Sequence, residues 1–152
     1  MKIIDYIKED HLTPKLKGES KFQIIEELMD LMEKSGSIID REIALQDVLA
    51  REGYLSTGLE NGLAIPHAKT DGVKQLQIGF GVKEGGIDFE SLDGKPASLI
   101  FLVLSPRDTS GPHIQALAFI SRNLKEKHFR DALYNAGSAG EIYRIMKEEF
   151  SA

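Results

Sequence analysis

The chain has 152 residues, and its 19 lysine and arginine residues against 24 aspartate and glutamate residues give a net charge of −5. Because non-specific affinity for nucleic acids comes mainly from clustered lysine and arginine, this balance argues against a nucleic-acid-binding protein. The chain contains no cysteine, which excludes disulfide bonds, thiol nucleophiles and thiolate metal sites and leaves its four histidines and its carboxylates as candidates for reactive chemistry.

The N-terminal part of the chain predicts short elements followed by a capped helix. Residues 3–7 predict a short helix or turn, and residues 11–16, which include Pro14, predict an edge strand. Ser20 begins a capping box, and the apolar residues after it recur at helical spacing. Gly36 is the expected end of this helix.

A second helix is expected directly before the part of the chain that is richest in glycine. It begins after Asp40, runs to about Arg51 and is broken by Gly53. Arg51 therefore lies in its last turn. Nine of the 14 glycines fall within residues 53–94, so we expect unusual backbone geometry there.

The next part of the chain has the patterns of a β-sheet. Apolar residues alternate over residues 76–82, which predicts a strand. Gly85 and Gly86 predict a turn, and residues 87–89 predict a short strand after it. The continuous apolar run at residues 99–104 predicts a central strand that is covered on both faces.

Three helices are predicted after the central strand. Apolar residues recur at helical spacing over residues 114–124 and 129–136, and Ser138 caps a last helix through Phe150. The order of helices, strands and helices predicts an α/β fold, a single compact domain over residues 1–152 with a mixed β-sheet flanked by helices on both faces. Since no apolar run could span a bilayer or serve as a signal peptide, we expect a cytoplasmic protein.

Residues 51–70 carry the main chemical hypothesis, because they combine an arginine, hydroxyls, glycines and the pair Pro66 and His67. Pro66 fixes its own φ and restricts the residue before it, so His67 is held with little backbone freedom. A neutral imidazole can accept a phosphoryl group and later release it. The negative charge on the oxygens of that group is typically stabilised by an arginine and by the N–H groups of a glycine-rich turn. The candidates to supply these are Arg51, Ser56, Thr57 and Gly58.

The residues alone are also compatible with simpler, structural roles for the histidines. His67 could close a turn and bond only to the backbone, and His113 could cap the helix that begins near Pro112 or lie close to an anionic group. His11 and His128 are expected to be solvated and are assigned no function. A metal site at His67 and His113 lacks neighbouring ligands at typical spacing, so a metal-dependent hydrolase is a remote alternative. The motifs of serine hydrolases and nucleotide-binding proteins do not occur.

Residues 51–70 closely resemble the active-site segment of one class of domains in the phosphotransferase system (PTS), the EIIA type-2 domains of fructose, mannitol and nitrogen-regulatory proteins. The resemblance rests above all on the sequence Ser56-Thr57-Gly58-x-x-Asn61-Gly62-x-Ala64-Ile65-Pro66-His67. Segments at residues 88–94, 99–106 and 113–117 also look like family segments and follow in the same order. The resemblance therefore covers nearly the whole chain.

The resemblance implies a function for three residues. His67 matches the phosphoryl acceptor, with attachment expected at its Nε2 (tele) nitrogen, Arg51 matches a charge-stabilising arginine, and His113 matches a second active-site histidine that is not the carrier. The implied donor is the histidine-containing phosphocarrier protein, and the implied acceptor is a IIB domain in fructose- or mannitol-type sugar uptake. No metal or organic cofactor is implied, and membrane association would be indirect, through transporter subunits.

Two outputs are compatible with the resemblance. The chain has no room for an attached IIB or IIC unit and no IIB-type cysteine, so a IIB acceptor is expected on a separate chain. The alternative is a nitrogen-regulatory IIA-like protein whose phosphorylation state controls binding to regulatory target proteins. Both outputs share acceptance of a phosphoryl group at His67.

Overall fold

The computed structural model describes residues 2–151 and contains five helices and five strands in that range. No helix among these residues is both long enough and apolar enough to cross a membrane. The elements in chain order are a 3₁₀ turn at Ile3–Tyr6, β1 Ile7–Thr13, α1 Lys21–Lys34, α2 Arg41–Tyr54, β2 Leu63–Ala64, β3 His67–Lys69, β4 Gln77–Ile87, β5 Ala97–Ser105, α3 Ser110–Asn123, α4 Lys127–Tyr134 and α5 Ala139–Phe150.

The five strands form one mixed sheet around β5. The strands β1, β4 and β5 lie side by side, and the other edge of β5 pairs first with β2 and then with β3. The β4–β5 pairing is antiparallel, whereas β1–β4, β2–β5 and β3–β5 are parallel. The β3–β5 register sets His67 beside Val103, so the candidate histidine begins a strand that is paired directly to the centre of the sheet.

Helices cover both faces of this sheet, and β5 contributes side chains to both cores. Three of its residues enter the core formed with α3, α4 and α5, and they are Leu99, Phe101 and Val103. The alternate residues enter the core formed with α1 and α2, and they are Ile100, Leu102 and Leu104. The predicted α/β fold and the central position of residues 99–104 are therefore confirmed, and the two buried faces explain why this run has no polar residue.

The predicted helix starts are confirmed by their caps. The side chains of Ser20, Asp40 and Ser138 each accept a hydrogen bond from the backbone N–H three residues later, at 3.2, 3.1 and 3.1 Å. Each bond satisfies one of the N–H groups that have no partner inside the first turn of a helix. These short polar signals in the sequence therefore locate three of the helix starts.

The predicted end of the second helix is wrong. α2 continues through Gly53 and ends at Tyr54. A glycine inside a helix costs about 1 kcal/mol relative to alanine, which tertiary contacts readily offset. Here the last turn also carries Glu52, whose buried carboxylate accepts two hydrogen bonds from Thr57 in the following loop. The hydrogen bonds between Glu52 and Thr57 therefore stabilise the last turn of α2, which contains Gly53.

Gly85 and Gly86 do not form the predicted turn. Both lie inside β4 with φ values of +78° and +75°, where the pairing with β5 is irregular between Val82 and Ile87. Glycine adopts positive φ without steric cost, so the strand bulges here and continues. The predicted separate strand at residues 87–89 is consequently wrong, because Ile87 ends β4 and Phe89 lies outside it.

The N-terminal strand begins and ends earlier than predicted. The predicted turn before it is confirmed at Ile3–Tyr6, and β1 follows directly as Ile7–Thr13 at the edge of the sheet. Residues 14–16, which were expected in the strand, lie outside it. Pro14 has no N–H group to donate to a neighbouring strand, so the strand ends before it.

Candidate active site

Arg51, Ser56, Thr57 and His67 line one cleft of about 260 Å³. Arg51 projects from the last turn of α2, His67 begins β3, and the loop between α2 and β2 carries the two hydroxyl residues. Residues of α3 complete the wall. The structure therefore brings together four of the six predicted site residues around one space, and Gly58 lies buried in the same loop.

The imidazole of His67 is oriented by its own backbone. Its Nδ1 donates a hydrogen bond of 2.7 Å to the carbonyl oxygen of Ile65, and the carbonyl of Pro66 accepts from the N–H of Val103 at 3.1 Å. A carbonyl oxygen can only accept, so the proton of the neutral ring resides on Nδ1 and the lone pair on Nε2. Among residues 2–151, no hydrogen bond engages that Nε2. The ring thus presents an unshared nucleophilic nitrogen.

The surroundings of His67 favour the neutral ring. Burial is the main cause that lowers the pKa of His67 below its ordinary value of 6.5, and the positive charge of Arg51 lowers it further. The hydrogen bond to Ile65 and the negative charge of Glu52 act in the opposite direction. Since only the neutral imidazole is a nucleophile, these surroundings favour the form of His67 that the predicted chemistry requires.

His113 lies beside His67 and does not cap α3, which was the simpler role that the residues alone left open. Their ring centroids are 5.4 Å apart and the rings are tilted by 55°. Thr109 occupies the N-cap position of α3, whereas His113 lies within the first turn, 5% exposed, with its Nδ1 2.7 Å from Oγ of Ser105. Burial, then the positive charge that His67 can carry, then Lys69, lower the pKa of His113 to about 4. His113 is therefore a buried neutral ring next to the candidate nucleophile.

Arg51 is held near His67 with most of its hydrogen-bonding capacity unused. One terminal nitrogen donates to the carbonyl oxygen of Leu55 at 2.6 Å, which fixes the guanidinium against the loop that follows α2. A guanidinium has five N–H donors, and within the described range this is the only hydrogen bond it makes. The remaining donors can serve an anion in the cleft.

The loop after α2 is built around a buried carboxylate, Glu52, that the sequence analysis missed. Glu52 is 2% exposed and accepts hydrogen bonds from the N–H of Thr57 at 3.0 Å and from its hydroxyl at 2.5 Å. Nζ of Lys21 lies 3.3 Å from the same carboxylate and 2.7 Å from that of Glu90. An acidic residue in the last turn of a helix is disfavoured by the helix dipole, and this was the signal in the sequence that it has a specific partner.

The hydroxyls of Ser56 and Thr57 and the N–H of Gly58 are engaged inside the protein. The hydroxyl of Ser56 donates to the carbonyl of Phe89, that of Thr57 donates to Glu52, and the N–H of Gly58 donates to Oγ of Ser56. A Cβ on Gly58 would lie 2.8 Å from the carbonyl oxygen of Phe89, so only glycine fits this contact. In this structure Ser56 and Thr57 line the cleft and Gly58 lies beside them in the same loop, and direct contact of the three with phosphate stays a prediction.

The remaining two histidines differ from each other. His11 was expected to be solvated, and this is wrong, because it is fully buried with Nε2 2.7 Å from Oγ of Ser35 and Nδ1 3.3 Å from the carbonyl of Ile78. The edge strand that carries it is covered on one side by α1, which the sequence pattern did not reveal. His128 is exposed on α4, as expected, and lies 3.2 Å from Glu149.

The histidine pair lacks the surroundings of a metal centre. Within residues 2–151, no three or more histidine, aspartate and glutamate side chains cluster in a way that could hold a metal ion. His67 and His113 would supply only two ligands, and Nδ1 of each is already hydrogen-bonded. Nothing in this geometry favours the metal-dependent hydrolase.

The buried histidines predict that stability is lost in mild acid. In an unfolded chain an imidazole titrates near pH 6.5, and the folded-state pKa values of His11, His67 and His113 all lie below this. Between the two pKa values the unfolded chain binds more protons, so the free energy of unfolding falls as the pH drops below 6.5 and is fully recovered above about pH 7. For His113 alone, the expected loss between pH 6.5 and pH 5 is between about 1 and 2 kcal/mol.

Chemical denaturation at about pH 7.5 and about pH 5 measures this dependence. We expect His113→Ala to lose less stability between the two pH values than the unmodified protein. His128→Ala, which removes an exposed histidine, should retain the full dependence. An equal pH dependence in all three proteins would contradict the prediction.

Known proteins resemble this chain in sequence and in structure. The family model described as phosphoenolpyruvate-dependent sugar phosphotransferase system, EIIA 2, matches residues 5–149. The PTS fructose-specific EIIA component of Haloferax volcanii is 40% identical over 124 residues, which cover 82% of this chain and 80% of that protein. The crystal structure of nitrogen regulatory protein IIA-Ntr from Neisseria meningitidis has a TM-score of 0.86 at 33% identity and covers 95% of this chain and 98% of that one.

A longer relative places the match within a larger protein. The PTS fructose-specific EIIABC component of Bacillus subtilis is 34% identical over 148 residues, which are 97% of this chain but only 23% of that protein. The family model, over residues 5–149, includes the segment from Arg51 to His67 that lines the cleft. This chain therefore belongs to the EIIA 2 family of the phosphoenolpyruvate-dependent sugar phosphotransferase system.

Proposed function

We propose that this chain is a phosphocarrier, a single EIIA type-2 domain over residues 1–152 that accepts a phosphoryl group on Nε2 of His67 from the histidine-containing phosphocarrier protein. It then passes the group to a IIB domain on a separate chain in fructose- or mannitol-type sugar uptake. The observation that carries the proposal is the hydrogen bond from Nδ1 of His67 to Ile65, since it leaves the lone pair on Nε2 beside Arg51 and His113.

The transfer step needs no proton movement at His67. The Nε2 lone pair attacks phosphorus, the new N–P bond forms, and the P–N bond to the donor histidine breaks with its electron pair returning to the donor's ring nitrogen. The proton on Nδ1 stays in its hydrogen bond to Ile65, so the phosphorylated ring carries a positive charge beside the negative phosphoryl oxygens. Transfer to the next protein reverses these bond changes.

We assign to Arg51 and His113 the role of donating hydrogen bonds to the oxygens of the phosphoryl group during transfer. The unused N–H donors of Arg51 bring a permanent positive charge, and the second ring brings a neutral donor, so together they stabilise charge as it moves from donor to acceptor. Ser56, Thr57 and Gly58 act through the shape of their loop, because the two hydroxyls and the N–H of Gly58 would have to give up their present hydrogen bonds before contacting phosphate.

The rim of the cleft suits a protein donor and a protein acceptor. Leu55 and Leu92 line the cleft and are nevertheless 61% and 79% exposed. Large apolar side chains that remain in solvent around a reactive group are typical of a protein–protein contact. A donor histidine carried on another protein could reach His67 while that protein covers these two side chains.

Phosphorylation in a reconstituted system tests the proposal. The protein is incubated with phosphoenolpyruvate, the first enzyme of the system and the histidine-containing phosphocarrier protein, and we expect one acid-labile phosphoryl group per chain. ³¹P and ¹⁵N spectra should assign it to Nε2 rather than to Nδ1. Absence of labelling, or attachment at Nδ1, would contradict the proposal.

A nitrogen-regulatory output is the second candidate, and the relative from Neisseria meningitidis with 33% identity over 95% of the chain is the observation that favours it. Here phosphorylation at His67 would control binding to regulatory target proteins rather than feed transport. Addition of a purified fructose-type IIB domain to the phosphorylated protein separates the two. Loss of label to the IIB domain supports transport, whereas retention of the label supports regulation.

A further inference from the structure

Ser105 is the only hydrogen-bond partner of the His113 ring among residues 2–151. It is the last residue of β5, it is fully buried, and its Oγ lies 2.7 Å from Nδ1 of His113. The His113 ring in turn lies 5.4 Å from the ring of His67, centroid to centroid. Parallel pairing of β3 with β5 brings the end of β5 to this place, since Lys69, two residues after His67, pairs with Ser105.

Two proton arrangements are compatible with this contact. In the first, the Ser105 hydroxyl donates to Nδ1 of His113, and the ring proton resides on Nε2. In the second, Nδ1–H of His113 donates to Oγ, and Nε2 bears a lone pair. The tautomer of His113, and with it the ability of Nε2 to donate a hydrogen bond, depends on which arrangement the protein adopts.

The surroundings of the hydroxyl decide between them. Oγ of Ser105 has no hydrogen-bond partner other than His113 in the described part of the chain. In the second arrangement the hydroxyl hydrogen would therefore be buried without an acceptor, which is costly in a site that is closed to water. In the first arrangement the hydroxyl hydrogen has an acceptor, and Nε2–H is left to donate.

We propose that Ser105 is a positioning residue that holds His113 as the neutral Nε2–H tautomer, so that His113 donates a hydrogen bond to the phosphoryl group on His67. This inference rests on the proposed function for its catalytic consequence. The opposite tautomer would turn a lone pair toward phosphoryl oxygens and repel them. Ser105 thus acts on the reaction through His113 and does not itself touch the phosphoryl group.

The side chain of Ser105 can be altered without removing its structural contacts. Its backbone carbonyl accepts from the N–H of Thr70 at 2.7 Å, and its pairing with Lys69 is also made by the backbone. Ser105→Ala keeps both and removes only the hydroxyl. Ser105→Thr keeps a hydroxyl and adds one methyl group. Ser98→Ala, at the opposite end of β5, is the matched control.

The tautomer can be measured directly in the full chain labelled with ¹⁵N. Long-range ¹H–¹⁵N spectra at about pH 7.5, with the His113 signals identified from the spectrum of His113→Ala, should show Nδ1 unprotonated and Nε2 protonated. In Ser105→Ala we expect a mixture of both tautomers, and in Ser105→Thr and Ser98→Ala the original one. A ring protonated on Nδ1 in the unmodified protein would overturn the proposal, whatever the protein's function.

Phosphoryl transfer from the phosphocarrier protein to His67 supplies the second measurement. We expect Ser105→Ala to slow transfer by roughly tenfold and His113→Ala by roughly a hundredfold. Because Ser105 acts through His113, the double variant should be no slower than His113→Ala alone. Ser105→Thr should restore most of the rate.

The outcomes separate the two proposals. A phosphorylated wild type together with an unchanged rate or unchanged tautomer in Ser105→Ala overturns the role of Ser105 and leaves the phosphocarrier function standing. Additive losses in the double variant also overturn it, since they would mean that the two residues act independently. Absence of phosphorylation in the wild type overturns the phosphocarrier function, while the spectra still decide whether Ser105 sets the tautomer.

Discussion

His67→Ala is expected to lose acid-labile phosphorylation to background, a fall of at least about a thousandfold in the rate of labelling. The variant lacks the only ring nitrogen in the cleft that has a lone pair free of hydrogen bonds in the described structure. His113 cannot replace it, because in the tautomer that we propose for that ring Nε2 carries the proton and has no lone pair, and the ring is 5% exposed. The measurement is transfer of ³²P from the labelled phosphocarrier protein.

The control for this variant is His128→Ala. His128 is exposed on α4 and its partner is Glu149, so its removal takes away one histidine without touching the cleft. We expect labelling at the unmodified rate. A circular-dichroism melt shows whether each variant is folded. Labelling that persisted in a folded His67→Ala protein would mean that a different residue carries the phosphoryl group.

Glu52→Ala is expected to lower the free energy of unfolding by about 3 kcal/mol. The substitution leaves the N–H and hydroxyl of Thr57 without acceptors and takes one of two carboxylates from Lys21. Lys21 still has Glu90 at 2.7 Å, which keeps the loss toward the lower end of the range for a broken buried ion pair. Urea denaturation at neutral pH measures the change.

The matched control removes the other carboxylate of the same lysine. Glu90 is largely exposed, so Glu90→Ala should cost less than about 1 kcal/mol. Glu52→Gln keeps an oxygen acceptor for Thr57 but loses the charge, and we expect an intermediate value. Equal losses in Glu52→Ala and Glu90→Ala would show that burial and the Thr57 contacts do not distinguish the two carboxylates.

The helix starts and the central strand were predictable because each depends on a local signal. Ser20, Asp40 and Ser138 cap helices through residues only three positions away, and the run at residues 99–104 is apolar because both of its faces are buried. Such signals need no knowledge of the tertiary fold. Glycine was a poorer guide, since its freedom of φ is compatible with a turn, with a helix interior at Gly53 or with a bulge inside β4.

In the candidate site, too, the residue types were predictable from the sequence and the tertiary contacts were not. His67, Arg51 and His113 were predicted as site residues from residue types and from a family-like motif. The hydrogen bonds that orient them lie within eight residues along the chain, but the packing that surrounds them joins distant parts of it. The carboxylate of Glu52 contacts Nζ of Lys21, which lies 31 residues away in the sequence. Ser105 contacts His113 because the start of α3 packs against the end of β5. The burial of His11 has the same origin, because α1 covers an edge strand that looked solvated in sequence.

The pairing of β2 and β3 with a single central strand has a consequence for how the state of His67 can be recognised. The backbone on both sides of His67 is hydrogen-bonded to β5, and β5 is buried on both faces. Because this backbone is held in place, a phosphoryl group on His67 would change the surface charge of the protein more than its shape. Partner proteins that distinguish the phosphorylated from the unphosphorylated form would then respond to the electrostatic potential at the mouth of the cleft.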